Sequence, residues 1–136
     1  MATGCDAVAR RVMMGAVEDV VLESRALVLA DLEARRMADP FAVSALEDAV
    51  ASRRWWVEQW PEGAAYVAGL VAQDVQDALL DDVGRWPVCE GCDDAPTHPL
   101  HISPELGGPD PVWVCEETGS VVAALGGLAA WTPPPR

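Results

Sequence analysis

Trp86-Pro87-Val88-Cys89-Glu90-Gly91-Cys92 (residues 86–92) divides the chain into two kinds of sequence. Upstream, residues 1–85 contain two prolines, Pro40 and Pro61, few glycines and long apolar periodicity. Downstream, residues 86–136 contain nine of the eleven prolines, three of the four cysteines and both histidines. Periodic apolar sequence with few breakers reads as helix, and short apolar runs between Pro and Gly read as strands and turns. The expected fold class is α+β. An N-terminal three-helix antiparallel bundle over residues 1–85 is followed by a small β region over residues 86–136, with a loose Pro-rich tail at Thr132-Pro133-Pro134-Pro135-Arg136.

Upstream of the divide, Glu62-Gly63 opens a helix that ends near Gly84. It turns Val67, Leu70, Val71, Val75, Ala78, Leu79 and Val83 inward and Gln73, Gln76, Asp77, Asp81 and Asp82 toward water. Before it, Asp39-Pro40 is a helix start: Asp accepts a free amide of the first turn, and Pro fits the first helical position because its missing N–H had no partner there. That second helix runs to about Trp60, with Leu46, Val50, Val57 and Trp60 on one face, and Pro61 stops it. The first helix spans about Asp6 to Met37. Its polar clusters Arg10-Arg11, Glu18-Asp19, Arg25 and Arg35-Arg36 recur at about seven to eight residues and mark a single stripe. The remaining circumference is apolar, so this helix needs cover on two sides: it is the central helix of its own small bundle, or part of the face belongs to a dimer or another protein. Very short connections make the three helices antiparallel neighbours. Trp55, Trp56, Trp60 and Tyr66 gather at one corner. The corner reads as aromatic core at a helix junction; the alternative is a binding patch, since the consecutive Trp55 and Trp56 cannot both face inward.

Downstream, Cys89-Glu90-Gly91-Cys92 is followed by His98, His101 and Cys115. The 51 residues of this Pro- and Gly-rich region are too few for a core of their own, and segments of that size use a disulfide or a metal. A Cys-x2-Cys turn presents two thiolates from one tight loop, with Gly91 giving it freedom to close. Three strands are expected: His98 to Ile102, then Pro111 to Cys115 and Val121 to Leu125 on either side of the turn Glu116-Glu117-Thr118-Gly119. Cys115, at the end of a strand, supplies a third sulfur. His98 and His101 are three residues apart with Pro99 between them, so they lie on extended chain and point to opposite faces. His98, the nearer to Cys92, is taken as the fourth donor and His101 as a supporting or surface residue. The expected site is Cys89, Cys92, His98 and Cys115 around a structural Zn²⁺, which makes the β region zinc-ribbon-like. A thiol–disulfide pair at Cys89 and Cys92 is the main rival, but it wants a helix N-terminus, and the neighbouring Asp93-Asp94 raise thiol pKa. Cys5 is read as a bystander.

The run Trp86-Pro87-x-Cys89-x-x-Cys92, then His98-Pro99-Leu100, Val112-Trp113-Val114-Cys115 and Gly126-Gly127-Leu128 resembles a group of small uncharacterised actinobacterial proteins. In those, a Trp-Pro-x-Cys knuckle precedes a His-Pro-Leu and a Trp-x-Cys hairpin. The resemblance covers roughly residues 75–128 and implies zinc binding, with no activity attached. Two departures stand out: the second knuckle position of the group is often His where this chain has Cys92, and the spacer to His98 is longer. Relative to ordinary zinc ribbons the second Cys-x-x-Cys is missing, since Glu116, Glu117 and Thr118 follow Cys115.

The chain has 136 residues, 51% hydrophobic and 23% charged, a globular balance. Its net charge is −13, and all nine basic residues are Arg. The charge divides as −7 over residues 1–85 and −6 over residues 86–136, so it is spread over the molecule. Such a surface repels phosphate backbones, which excludes sequence-independent nucleic-acid binding, and favours basic partners. No apolar run approaches the roughly 20 residues a membrane span needs, and the start of the chain lacks the order of a secretory signal. The expectation is a cytoplasmic protein without nucleic-acid or membrane contact. No phosphate-cradling Gly loop and no Ser–His–acid set occurs, so no catalytic residue is expected. The pairs Asp81-Asp82, Asp93-Asp94 and Glu116-Glu117 read as solvated charge. The functional expectation is a non-enzymatic, zinc-stabilised adaptor that binds a protein partner or a second copy. The alternatives are a redox-responsive zinc–thiol switch, an acidic DNA mimic, and a structural component of a phage or other assembly.

Overall fold

The computed structural model describes the backbone of residues 4–92 and 96–132, and side chains from Val8 onward apart from residues 9, 10 and 13. The Cys5 side chain, the Asp93-Asp94 pair and the tail from Pro133 lie outside the described residues. Three helices lead the chain: α1 (Gly4–Ala34), α2 (Pro40–Gln59) and, after a 3₁₀ turn at Pro61–Tyr66, α3 (Val67–Asp82). Three strands follow, β1 (Leu100–Ser103), β2 (Val112–Cys115) and β3 (Val121–Ala124), and a 3₁₀ turn at Leu128–Ala130 ends the described fold. The fold is α+β with an N-terminal helical bundle, as the sequence indicates. The sheet is antiparallel in the order β1-β2-β3.

The helices start and stop where backbone chemistry directs. Asp39 caps α2: its side chain accepts the Ala42 amide at 2.8 Å, with Pro40 in the first turn. α1 ends in a six-residue loop in which the Met37 amide donates to the Leu32 carbonyl at 2.8 Å, with Arg36 left-handed at φ 56°. Glycine is the usual residue at that position because any Cβ is strained there. Arg36→Gly is therefore expected to raise stability by about 0.5–1 kcal/mol, read as a shift in the urea midpoint at unchanged slope. Ion pairs show that α2 runs back along α1: Arg54 lies on Glu18 and Arg25 on Glu47, in reversed order. Arg53 forks onto Asp74 of α3 at 2.7 and 2.9 Å.

Three details of the helices differ from the sequence pattern. Trp60 leaves the inner face of α2 and is 45% exposed, because it is the cap residue with non-helical φ −137° and ψ 81°. Gly63 fills the space beside it: a Cβ there would come within 2.7 Å of Trp56 and Trp60. Gln76 does not face water, since its amide donates to the carbonyls of Trp86 at 3.1 Å and Leu100 at 2.9 Å. Val83 is exposed, one residue past the end of α3.

One apolar cluster runs through both regions. Val21, Val28 and Leu32 of α1, Leu46 and Val57 of α2 and Val71, Val75 and Leu79 of α3 are continuous with Trp86, Leu100, Ile102, Trp113 and Leu128. Trp86 and Trp113, 1% and 0% exposed, meet edge to face with ring centroids 5.4 Å apart. The β region thus borrows its core from the helices. The sharpest tie is Asp31, a fully buried α1 carboxylate. It accepts three hydrogen bonds, from Trp113 Nε1 at 2.8 Å, the Gly126 amide at 2.6 Å and the Leu128 amide at 3.0 Å. Gly126 has φ 90°, and a Cβ there would meet Leu27 Cδ2 at 2.5 Å, so only glycine lets the chain reach Asp31.

Candidate metal centre

The centre forms where three pieces of backbone meet at one end of the sheet. Pro87 to Cys89 runs beside His98 to Leu100: the Cys89 amide donates to the His98 carbonyl at 2.9 Å, and the Leu100 amide donates to the Pro87 carbonyl at 2.7 Å. Across the other edge of β1, Leu100 pairs with Cys115 and Ile102 with Trp113. Alternation along an extended chain puts His98, Leu100 and Ile102 on one face. All three are buried, and so are Cys115 and Trp113 opposite them. His101 has the other parity and is only half-buried, pairing with Val114.

These constraints bring Cys89, Cys92, His98 and Cys115 together, with one donor atom from each lying within 4.8 Å of all the others. The contacts at Cys115 Sγ are 3.5 Å to Cys92 Sγ, 3.8 Å to Cys89 Sγ and 3.5 Å to His98 Nε2. A tetrahedral ion about 2.3 Å from sulfur and about 2.0–2.1 Å from nitrogen has donor–donor edges of roughly 3.5–3.8 Å. The three contacts at Cys115 match those edges. His98 Nδ1 lies 2.8 Å from the Pro96 carbonyl, which can only accept, so Nδ1 carries the hydrogen and Nε2 is turned to the sulfurs. The four residues can hold a metal ion. His98, not His101, completes the cluster.

Residues that sequence alone did not single out hold the knuckle in place. Arg35, just past α1, donates from Nη1 to the Val88 carbonyl at 2.9 Å and pairs with Glu90 at 2.8 Å, gripping both sides of Cys89. Its guanidinium lies 5.9 Å from the Trp131 ring centroid, and Trp131 lies over Gly91. Gly91 is not among the positive-φ glycines, so the turn does not use the conformational freedom expected of it.

Without metal, Cys92, His98 and Cys115 hold their protons unevenly. Cys115 is pulled down to about 5, chiefly by the Thr118 hydroxyl and amide donating to its thiolate, with help from His98. His98 is raised to about 9, first by the Pro96 carbonyl and then by Cys115. Cys92 is pushed up to about 12, mainly because its S–H donates to Cys115. A metal needs the thiolates and a free imidazole nitrogen, so between about pH 5 and about pH 9 loading must expel protons from both His98 and Cys92. Affinity should rise by at least about a hundredfold per pH unit across that window and fall on acidification. A competition titration against a chromogenic chelator checks this, and a flat profile would contradict it.

Among the described residues, no helix is long and apolar enough to cross a membrane. No curated protein and no solved structure matches the chain. One family does match, over residues 17–125, a span that begins at the first buried residue of α1 and takes in all three helices' core, the whole sheet and every donor of the cluster. The chain belongs to that family, described as Domain of unknown function (DUF8819).

Proposed function

We propose that this protein is a non-enzymatic, zinc-stabilised interaction module. The observation that carries the metal half is the convergence of three sulfurs and one imidazole nitrogen within 4.8 Å of one another, with the contacts at Cys115 at 3.5–3.8 Å. Three thiolates and one imidazole is a zinc-selective set, and four protein donors leave no open position for a substrate or an activated water. Zinc here acts as a structural cross-link that fixes Cys115 of β2 to the knuckle. Metal analysis of the purified protein should find about one zinc per chain. A chain that folds with no bound metal, and takes none up from added Zn²⁺, would refute this half.

The interaction half rests on the aromatic corner. Trp55, Trp60 and Tyr66 are 65%, 45% and 37% exposed, with Trp60 stacked on Tyr66 at 5.9 Å. Exposed aromatics in a rigid cluster are the anchors protein interfaces favour, and the net charge of −13 selects a basic partner. The test is capture of a partner by the wild type that a Trp55→Ala/Trp60→Ala variant with full zinc content no longer captures. Capture unaffected by that change places the contact elsewhere and overturns the assignment.

A second reading has an observation of its own: Cys92 and Cys115 sulfurs 3.5 Å apart. If the metal leaves, peroxide can convert the two thiols to a disulfide, releasing two waters as the oxidant is reduced. Zinc release by mild peroxide, with a Cys92–Cys115 cross-link found by mass spectrometry, would favour a redox switch. Thiols that stay metal-bound under the same treatment exclude it.

A further inference from the structure

α1 carries two stripes on opposite sides. Val17, Val21, Ser24, Val28 and Leu32 are buried against the rest of the fold. Val8, Val12, Gly15, Asp19, Leu22 and Ala26, spaced alternately four and three residues, are all exposed. At about 100° per residue the two stripes lie roughly half a turn apart. Alternating four–three spacing is the pattern of a seam between paired helices. Val8, Val12 and Leu22 are 60%, 67% and 51% exposed and lie in one row on the helix. Among the described side chains of α1, none before Val17 is buried.

We infer that this outer stripe is the seam of a homodimer, with α1 packed antiparallel on α1 of a second copy about a two-fold axis at Gly15. About that residue two pairs are complementary, while Val12 comes level with Glu18. The axis brings Val8 level with Leu22 and Arg11 level with Asp19, each pair occurring twice by symmetry. Parallel pairing would instead set Arg11 against Arg11 and Asp19 against Asp19. Gly15 supplies an independent reason. A glycine inside a helix costs about 1 kcal/mol relative to alanine. A Cβ added here would meet nothing within 4 Å, so the chain's own packing gives no reason for it. At the axis, the missing side chain lets two backbones approach closely. The seam is remote in sequence from the metal donors and the aromatic corner, and it stands whether or not those assignments do.

Light scattering on the full chain at tens of micromolar tests the inference, with a mass of twice 14.5 kDa expected. Val12→Asp and Leu22→Asp, both at exposed positions, should give monomers that keep their helical circular dichroism. Arg11→Asp and Asp19→Arg should each weaken the dimer by about tenfold, and the double exchange should restore it. A wild type of single-chain mass overturns the inference and leaves the stripe to a different partner. A dimer that survives the combined Val12→Asp/Leu22→Asp change overturns it as well, by placing the interface elsewhere.

Discussion

Asp31→Ala is expected to lower the stability of the whole fold by about 3–5 kcal/mol, a large part of the 5–15 kcal/mol typical of a domain. The reason is the number of groups that depend on one carboxylate. Trp113 Nε1 and the amides of Gly126 and Leu128 all donate to Asp31, and none of them gains another acceptor when it is removed. Each donor left dry costs about 1–3 kcal/mol. Asp31→Asn keeps the shape but turns an NH₂ toward at least one donor, so it should lose roughly half as much. Urea unfolding followed by tryptophan fluorescence reads both variants, and a loss below about 1 kcal/mol for Asp31→Ala would refute the role. The effect should be global, because Asp31 joins α1 to β2 and to the turn after β3 across one continuous core.

Removal of the metal should have the other large effect, and a more local one. Structural zinc in small modules contributes about 10–16 kcal/mol of coordination free energy, while the three short strands here gain little from their own pairing. Cys115→Ser, or chelation, should leave the helical circular dichroism in place. The amides of Cys89, β1 and β2 should then exchange at least about a hundredfold faster, since their protection now depends on packing against the helices alone. His98→Ala should behave like Cys115→Ser, whereas His101→Ala, of the opposite strand parity, should keep its metal. Strand protection unchanged after full metal removal would show that the apolar cluster alone holds the sheet. Trp86 and Trp113 give that outcome a physical basis, since both are already sealed against α1 and α3.

The metal cluster was legible because its rules are local. A Cys-x2-Cys turn points two thiolates one way whatever surrounds it, parity lets only one of His98 and His101 face them, and nearness to Cys92 favours His98. Helix limits were legible for the same reason at Asp39-Pro40, where the cap and the ring act within four residues. Trp60 was misread because helical periodicity assumes the helix continues, and Pro61 had already diverted the chain. Gln76 was misread as solvated because its partners, the Trp86 and Leu100 carbonyls, lie ten and 24 residues away. Arg35 looked like surface charge in a polar stripe, and only the return of the chain 53 residues later gave it the Val88 carbonyl to hold.

The sequence by itself determined the order of helices and strands and the four residues that meet as a candidate metal centre. Those properties follow from spacing, and spacing is carried by neighbours along the chain. Only the tertiary structure decided that Asp31 is buried, that Arg35 clamps the knuckle and that the small sheet shares its core with the helices. Each of these depends on partners brought close by folding, and a buried charge becomes favourable only once its distant donors have arrived.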